Sequence, residues 1–329
     1  MRGWIDLGRD VFFGYPLRAE VFMEFALAHP ELTADVGVQS DGAGLRPGLR
    51  VFADVDGRVR VGITCAVCHS SVRDGDTVVG AARRAFDYGR LRLIYYRTTR
   101  EPVDPELARR MERWGPGRAD VTEDEAEDPV AIPDLWGLRA QTALTQAGTI
   151  RHVAPSALAI RQETQLLDSN HQRVRPPREL AWALAMYLYA LEPPAHPEPR
   201  DPREAANEVR AVSAGRALFV NHCHDCHSNA AFGGRPVPYG DVGTNAALAT
   251  GAARGTGRYR PPPLVNVRDA APYLHDGAVP TLEDLLNPDR LSSTYSRGPL
   301  GAGAVPGHTY GTDWSAGDRA AVVAYLRSL

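Results

Sequence analysis

Lysine is absent from this chain of 329 residues, so its 37 basic residues are all arginine. They are outnumbered by 40 acidic residues, and the formal net charge is -3. Binding to nucleic acid needs concentrated positive charge, so a nucleic-acid partner is not expected. The chain also lacks an apolar run long enough to cross a bilayer. Its first six residues, 1–6, lack the basic-then-apolar pattern of a signal peptide.

Cysteine is scarce, and its four copies form two Cys-x-x-Cys-His motifs, 65–69 and 223–227. This spacing is typical of covalent c-type haem attachment. Two thiols three positions apart can each bond one vinyl group of the porphyrin, and the adjacent imidazole can bind the iron. The sequence therefore predicts two covalent haems c. Their cofactor-binding residues are Cys65, Cys68, His69, Cys223, Cys226 and His227, with His69 and His227 as the proximal iron ligands.

Three other uses of paired cysteines fit this pattern less well. A structural zinc site seldom places a histidine directly after both pairs. A thioredoxin-like redox pair would need a β-α-β context, and disulfides would leave the duplicated histidine unexplained. Because haem attachment to thiols requires export, we expect a periplasmic protein whose signal sequence has been removed.

The two halves of the chain repeat more than the haem motif, which indicates a duplicated unit. Three residues after the first motif match three after the second without a gap: Leu135, Arg139 and Gly148 match Leu264, Arg268 and Gly277. Each half then closes with apolar residues at helical spacing, over 176–191 and 315–329, which predicts a buried terminal helix in each half.

Five prolines in residues 192–202 predict a stiff linker. The sequence predicts an N-terminal cytochrome c domain over 1–192 with the reactive haem, a Pro-rich linker over 193–205, and a C-terminal cytochrome c domain over 206–329 with the electron-transfer haem. Further helices are predicted over Val11–Leu27 and Asn207–Asn221. The predicted fold class is all-α, two tandem c-type cytochrome domains with long haem-wrapping loops.

A longer string in the second half carries a family resemblance. Ala271-Pro272-Tyr273-Leu274-His275-Asp276-Gly277 is followed by Thr281-Leu282-Glu283. Together with the two haem motifs, this string resembles the di-haem cytochrome c peroxidase and MauG superfamily. The resemblance implies two helical haem domains, a calcium ion near their interface, a reactive N-terminal haem and an electron-relaying C-terminal haem. It also implies that His275 lies between the haems. By the same resemblance, the prolines before Leu135 and Leu264 are candidate sources of the backbone carbonyl that holds the other ring nitrogen of each proximal histidine.

The sequence departs from the peroxidase pattern at two positions. Thr145-Gln146-Ala147-Gly148 stands where the peroxidases carry an aromatic-Trp-Asp-Gly string, so a bridging tryptophan is absent or is supplied by Trp136 or Trp114. Asp289 stands where the peroxidases place a methionine ligand. These differences suit a divergent branch of the superfamily, which includes oxygenases and oxidases.

The distal ligand of the second haem cannot be methionine within its own domain, because no methionine follows His227. His275, His308 and several tyrosines are the candidates. His308 lies in a Gly-containing loop just before the last helix, where the loop can close over the haem face, and we predict it as the second axial ligand of that iron.

For the first haem, the distal candidates are His152, His171 and Met111, and Met111 is the one that packing explains best. Alignment of the terminal helices places His171 near the position of His308, as a ligand or as part of an open catalytic site. Glu163 follows Gly148 near the position where the resemblance implies a catalytic glutamate. It is predicted as the catalytic base, because peroxide cleavage needs a group that moves a proton between the two oxygens.

Arginines are candidate partners for the haem propionates through charge-assisted hydrogen bonds. Arg139 and Arg268, which are equivalent in the two halves, and Arg260 are the residues we predict for this role.

The predicted function is an oxidoreductase of the peroxidase and MauG type. It would react with peroxide or dioxygen and take electrons from a small redox protein or a quinol-derived donor. The alternative is a pure electron-transfer cytochrome in which both irons are six-coordinate. The sequence is compatible with a homodimer or a monomer.

Overall fold

The computed structural model describes residues 1–120, 129–169, 174–195 and 202–329, and for 202–206 only the backbone. The chain divides into two compact units. The first comprises Met1–Val121, Ile132–Leu135 and His152–Glu192, and the second Thr122–Ala131, Trp136–Arg151 and Pro193–Leu329. Among the described residues, 129–131 and 136–151, which lie within the predicted N-terminal domain, belong to the second unit, and the predicted domain bounds stay a prediction.

The first unit combines helices with small antiparallel sheets. Its helices are α1 (Arg2–Gly14), α2 (Val21–Ala28), α3 (Ala66–His69), α4 (Tyr88–Thr99), α5 (Pro105–Trp114), α6 (Pro155–Ser169) and α7 (Arg178–Tyr189). Its strands are β1 (Arg18–Ala19), β2 (Leu49–Ala53), β3 (Val59–Ile63), β4 (Ser70–Arg73), β5 (Asp76–Val79) and β6 (Arg118–Ala119). Strand β3 pairs with both β1 and β2, and β4 pairs with β5 directly after the first haem motif.

The second unit has longer irregular segments between its elements. Its strands are β7 (Val130–Ala131), β8 (Ala143–Leu144), β9 (Ile150–Arg151), β10 (Val237–Pro238) and β11 (Arg258–Tyr259). Its helices are α8 (Pro202–His222), α9 (Tyr239–Val242), α10 (Ala247–Thr250), α11 (Leu282–Leu286) and α12 (Ala316–Arg327), with 3-10 turns at Leu138–Ala140, Val267–Asp269 and Pro288–Leu291. Strand β8 pairs with β9, and β10 with β11.

The small sheets mean that the all-α fold class is not confirmed, although helices make up most of the regular secondary structure in both units. The single helix predicted over Val11–Leu27 is wrong: α1 ends at Gly14, and Pro16, which cannot continue a helix, separates it from α2. Helix α8 begins at Pro202, five residues before the predicted start, because proline is well suited to the first helical turn. No helix in the described part of the chain has the length and apolar character to span a membrane.

The same helix pair occurs in both units. Helix α1 packs against α7, and α8 packs against α12. A Cβ on Gly8 would lie 2.0 Å from the Ala183 carbonyl oxygen, and one on Gly215 would lie 2.0 Å from that of Ala321. Glycine thus allows the two backbones to approach closely in each pair, which places the first helix of each unit firmly against the last.

The aromatic contacts of these pairs also match. The ring of Phe12 lies 5.5 Å from that of Tyr187, and the ring of Phe219 lies 5.3 Å from that of Tyr325. In the second unit Phe219 stands four residues before Cys223, whereas in the first unit the sheet β1–β3 lies between Phe12 and Cys65. The first unit therefore contains the same helix pair as the second, with an insertion before its haem motif.

Candidate haem-binding sites

The first Cys-x-x-Cys-His motif forms a single helical turn, α3. The His69 amide donates to the Cys65 carbonyl at 3.2 Å, and the Ser70 hydroxyl donates to the Ala66 carbonyl at 2.5 Å. Burial raises the pKa of the Cys65 thiol to about 12 and that of Cys68 to about 11. The motif thus places two buried thiols and one imidazole on a single helical turn.

The imidazole of His69 is oriented by a backbone carbonyl. Its Nδ1 lies 3.1 Å from the Pro133 carbonyl oxygen, as we predicted from the proline that precedes Leu135. Burial lowers the pKa of His69 to about 4, so the ring is neutral at physiological pH. A neutral imidazole whose Nδ1 donates to a carbonyl has its Nε2 lone pair free for a metal. His69 thus fits the role of a proximal iron ligand.

An ion pair holds the Pro133 segment in place. Arg84 donates to both carboxylate oxygens of Asp134, from Nη1 at 3.0 Å and from Nη2 at 2.8 Å. The Ala82 amide donates to the same carboxylate at 2.7 Å, and the Leu135 amide donates to the Gly80 carbonyl at 2.8 Å. Asp134 was not predicted as part of this site. Its place directly after Pro133 was the only available signal.

The second motif begins where α8 ends. The Cys223 amide donates to the Phe219 carbonyl at 2.8 Å, and the His227 amide donates to the Cys223 carbonyl at 3.0 Å. Burial raises the pKa of the Cys223 thiol to about 11, and it also raises that of Cys226. The four thiols form no disulfide.

The imidazole of His227 is oriented chiefly by Phe232. Its Nδ1 lies 2.6 Å from the Phe232 carbonyl oxygen. Burial lowers the pKa of His227, while hydrogen bonds to the carbonyls of Phe232 and Pro262 act in the opposite direction. The predicted carbonyl, from the prolines before Leu264, is therefore present, but Phe232 is a partner that the sequence did not indicate.

Asn229 explains why the Phe232 carbonyl is available. Its side-chain oxygen accepts hydrogen bonds from the amides of Ala231 at 2.9 Å and Gly233 at 2.8 Å. Phe232 itself has a positive φ of 56°, an uncommon conformation for a non-glycine residue. The loop after the second motif is thus fixed by its own polar side chain.

His308 has a buried ring nitrogen beside this second site. Its Nδ1 has no hydrogen-bond partner among the described residues. Burial lowers the pKa of His308 to about 4, and nearby His227 and Arg290 lower it further. A neutral imidazole with an unsatisfied buried nitrogen near a proximal histidine fits a group that binds a metal from the other side. The second motif and His308 therefore fit a haem with two imidazole ligands.

Among the predicted propionate partners, Arg260 has the strongest case. Its side chain is 7% exposed, its Nε donates to the Thr145 carbonyl at 2.9 Å, and burial alone lowers its pKa to about 10. No carboxylate pairs with it among the described residues, so the site suits an anion such as a propionate. Arg139 is exposed, and Arg268 lies 3.8 Å from Asp269.

Arg161 lies close to the first motif, and nothing in the sequence predicts it there. Arg161, on α6, is near enough to oppose protonation of His69 and to favour the thiolate of Cys65. Its Nη2 donates to Gln165 at 2.8 Å, four residues on along the same helix. No pattern in the sequence distinguishes this arginine from the others, because its role depends on how α6 folds back on the motif.

The predicted catalytic base Glu163 is placed differently from the expectation. Its carboxylate, 15% exposed, pairs with Arg175 at 3.0 Å and with Arg178 at 3.3 Å. The hydrogen bond from Arg175 is the largest cause of a lowered pKa at Glu163. A carboxylate with two cationic partners and a lowered pKa is a weak base. The structure therefore accounts for Glu163 as an ion-pair residue between α6 and the start of α7.

Two of the three distal-ligand candidates for the first haem lie among the described residues. His152 is buried and hydrogen-bonded to the Tyr189 hydroxyl. Met111 packs in the core with Leu93 and Trp114, as the packing interpretation expected. His171 lies outside the described residues.

The predicted cofactor-binding residue His275 pairs with a tyrosine in the second unit. Its Nε2 lies 3.2 Å from the Tyr259 hydroxyl, and the two rings are 4.3 Å apart. No cluster of three or more His, Cys, Asp or Glu side chains suited to a metal ion occurs in the described ranges. The calcium ion implied by the resemblance stays a prediction.

Comparison with known proteins supports the cytochrome interpretation. Residues 257–296, which include the string from Ala271 to Gly277, match the model of the RoxA-like, cytochrome c-like family. No curated protein matches the chain. A solved structure, described as the crystal structure of a MauG-like protein associated with microbial copper homeostasis, matches with a TM-score of 0.43 and 19% identity over 66% of this chain and 79% of that chain. Residues 257–296 of the second unit are thus similar to a cytochrome c-like segment.

Proposed function

We propose that this chain is a di-haem c-type cytochrome oxidoreductase. One haem would be bound through Cys65, Cys68 and His69, and the other through Cys223, Cys226 and His227. The reaction with peroxide or dioxygen would take place at the N-terminal haem, and the C-terminal haem would relay electrons.

The difference between the two sites carries this proposal. Near His227 stands a second imidazole, that of His308, with an unsatisfied buried nitrogen. Among the described residues, no second imidazole bears on the pKa of His69; Asp134 raises that pKa and Arg161, whose guanidinium cannot bind iron, lowers it. Two imidazoles suit a site that only transfers electrons, whereas a site with one imidazole among the described residues and a nearby cation suits the binding of an oxygen species.

A bound haem supplies an iron centre that exchanges electrons and, where an axial position is open, binds a small oxygen molecule. The residues around each haem would determine whether it only exchanges electrons or also binds an oxygen species. At the first site, Pro133 fixes the orientation of the neutral His69 imidazole. Arg161 would supply positive charge close to His69 and Cys65, which would favour an electron-rich substrate such as peroxide at this site.

At the second site, the residues would exclude such a ligand. His308 would hold the haem iron together with His227, and the carbonyl of Phe232 would orient the His227 ring. Arg260 would neutralise a propionate through a charge-assisted hydrogen bond.

The electron donor and the location follow from the same proposal. Covalent haem attachment requires export, so we infer a periplasmic protein. A small redox protein or a quinol-derived donor would supply electrons to the second haem.

The spin state of the mature protein tests the proposal. We expect one high-spin haem that binds cyanide rapidly and reacts with hydrogen peroxide, and one low-spin haem that does neither. Replacement of His308 by Ala should convert the second haem to a high-spin form. Two low-spin haems in both oxidation states, with no reaction with peroxide, would instead establish the electron-transfer cytochrome and refute the proposed enzyme.

A further inference from the structure

Arg290 is completely buried and donates four hydrogen bonds to backbone carbonyls. Its side chain is 0% exposed. Nε donates to Leu285 at 3.0 Å and Nη1 to Val305 at 2.6 Å. Nη2 donates to Gly307 at 2.7 Å and to His308 at 2.8 Å. Three of the four acceptors thus belong to residues 305–308.

The backbone of Arg290 also forms a hydrogen bond with the 305–308 segment. The Val305 amide donates to the Arg290 carbonyl at 2.7 Å. Arg290 lies in the 3-10 turn Pro288–Leu291, whereas residues 292–307 contain no helix or strand. Arg290 therefore connects the start of this irregular loop to its end, which lies next to His308.

The conformation of His308 needs such support. Its φ is 44°, in the left-handed region that a histidine seldom adopts. The His308 amide is held by the Val242 carbonyl at 2.6 Å, and its carbonyl is held by Arg290. A residue in an unfavourable conformation keeps it only when its surroundings fix it from several sides. Both backbone groups of His308 are fixed here.

Arginine is the side chain that fits this task. Its planar fork presents several N–H donors in a fixed geometry, so one residue can bind carbonyls from both Leu285 and the 305–308 segment. A lysine at the same position would keep the positive charge, but its single nitrogen cannot reach four separate acceptors. No carboxylate is among the groups that bear on the pKa of Arg290, which burial lowers. The carbonyls therefore provide its solvation.

We propose that Arg290 is a positioning residue that holds the His308 imidazole in place as the second axial ligand of the C-terminal haem. This inference rests on the proposed function, in which His308 binds that iron. Loss of the hydrogen bonds from Arg290 would let the 305–308 segment move. The His308 imidazole would then leave the iron more often. The second haem would then become accessible to small ligands.

The test uses the mature full-length protein with both haems and compares R290M, R290K, H308A and the control R83M. Arg83 is also fully buried, at 1% exposed, and also donates to two carbonyls, those of Ser70 and Pro47, but it lies in the first unit. The measurements are the bis-imidazole low-spin EPR signal, the reduction potential of the second haem and the rate of carbon monoxide binding to that haem when reduced. Thermal unfolding reports stability separately.

We expect R290M to raise the carbon monoxide binding rate of the second haem by roughly tenfold or more, since that rate follows the fraction of protein with the ligand displaced. The reduction potential of the second haem should shift, and R290K should give an intermediate rate. R83M should leave all three signals of the second haem unchanged, even if it lowers the unfolding temperature.

The outcomes separate the two hypotheses. If H308A removes the bis-imidazole signal but R290M keeps the wild-type rate and potential, Arg290 is only structural and the inference fails while the ligand assignment stands. If H308A keeps the signal, His308 is not the ligand and both fail. If R290M does not accumulate, R290K decides: a wild-type rate and potential in R290K overturn the inference.

Discussion

The ion pair that supports the first haem site gives a quantitative prediction. Asp134 accepts three hydrogen bonds, one from the Ala82 amide and two from Arg84, and both side chains of the pair are largely buried, at 12% and 22% exposed. Replacement of Asp134 by Ala would leave the Ala82 amide and the guanidinium without these acceptors. A hydrogen bond to a charged acceptor contributes about 1.5–3 kcal/mol, and a partly exposed ion pair adds up to about 1 kcal/mol.

We therefore expect D134A to lower the free energy of unfolding by about 2–4 kcal/mol, which corresponds to a decrease of about 5–15 °C in the Tm of a domain of this size. The matched control is E112A. It removes an exposed ion pair with Arg97 in the same unit and should cost less than about 1 kcal/mol. Far-UV circular dichroism of the mature protein, followed through thermal unfolding, measures both variants.

The same substitution has a spectroscopic consequence. Asp134 follows Pro133, whose carbonyl accepts from His69, so loss of the carboxylate should weaken that hydrogen bond. A weaker hydrogen bond makes the imidazole a poorer donor to iron, and the reduction potential of the first haem should rise while that of the second stays unchanged. If D134A costs no more stability than E112A and leaves the first potential at its wild-type value, the reasoning is refuted.

Three further predictions concern other parts of the chain. E163Q should change the rate of the peroxide reaction, measured by stopped-flow absorbance, less than about threefold, because its carboxylate serves two ion pairs; a loss of about 10²–10⁴ would establish it as the catalytic base after all. R161M should lower the same rate by about 10²–10³, with R161K retaining part of it, and an unchanged rate would remove Arg161 from the reaction. G8A and G215A should each destabilise the protein by at least about 1–3 kcal/mol in thermal unfolding, whereas G14A, which has open space around it, should be nearly neutral. Equal effects of G14A and G8A would contradict the close helix contact.

Much of each haem site could be predicted from the sequence, because the chemistry is local. The spacing of Cys65, Cys68 and His69 fixes three groups on one helical turn, and the proline that precedes Leu135 was enough to predict the carbonyl partner of His69. The terminal helices α7 and α12 followed from apolar periodicity for the same reason.

Features that depend on distant packing could not be predicted. Arg290 and Arg161 are two among 37 basic residues, and only the folded chain shows which carbonyls or thiols lie beside them. Glu163 was chosen from its position in the family pattern, but the nearby cations Arg175 and Arg178 determine its state. The equivalence of α1 and α8 was hidden because an inserted sheet separates α1 from its motif.

The most direct test of the central claim is the intact mass of the mature protein and of two variants, C65S/C68S and C223S/C226S. The account predicts a wild-type mass that exceeds the polypeptide by two haems under denaturing conditions, and a loss of one haem in each variant. A wild-type protein that carries one haem or none after proper maturation, or a variant that keeps both, would contradict it.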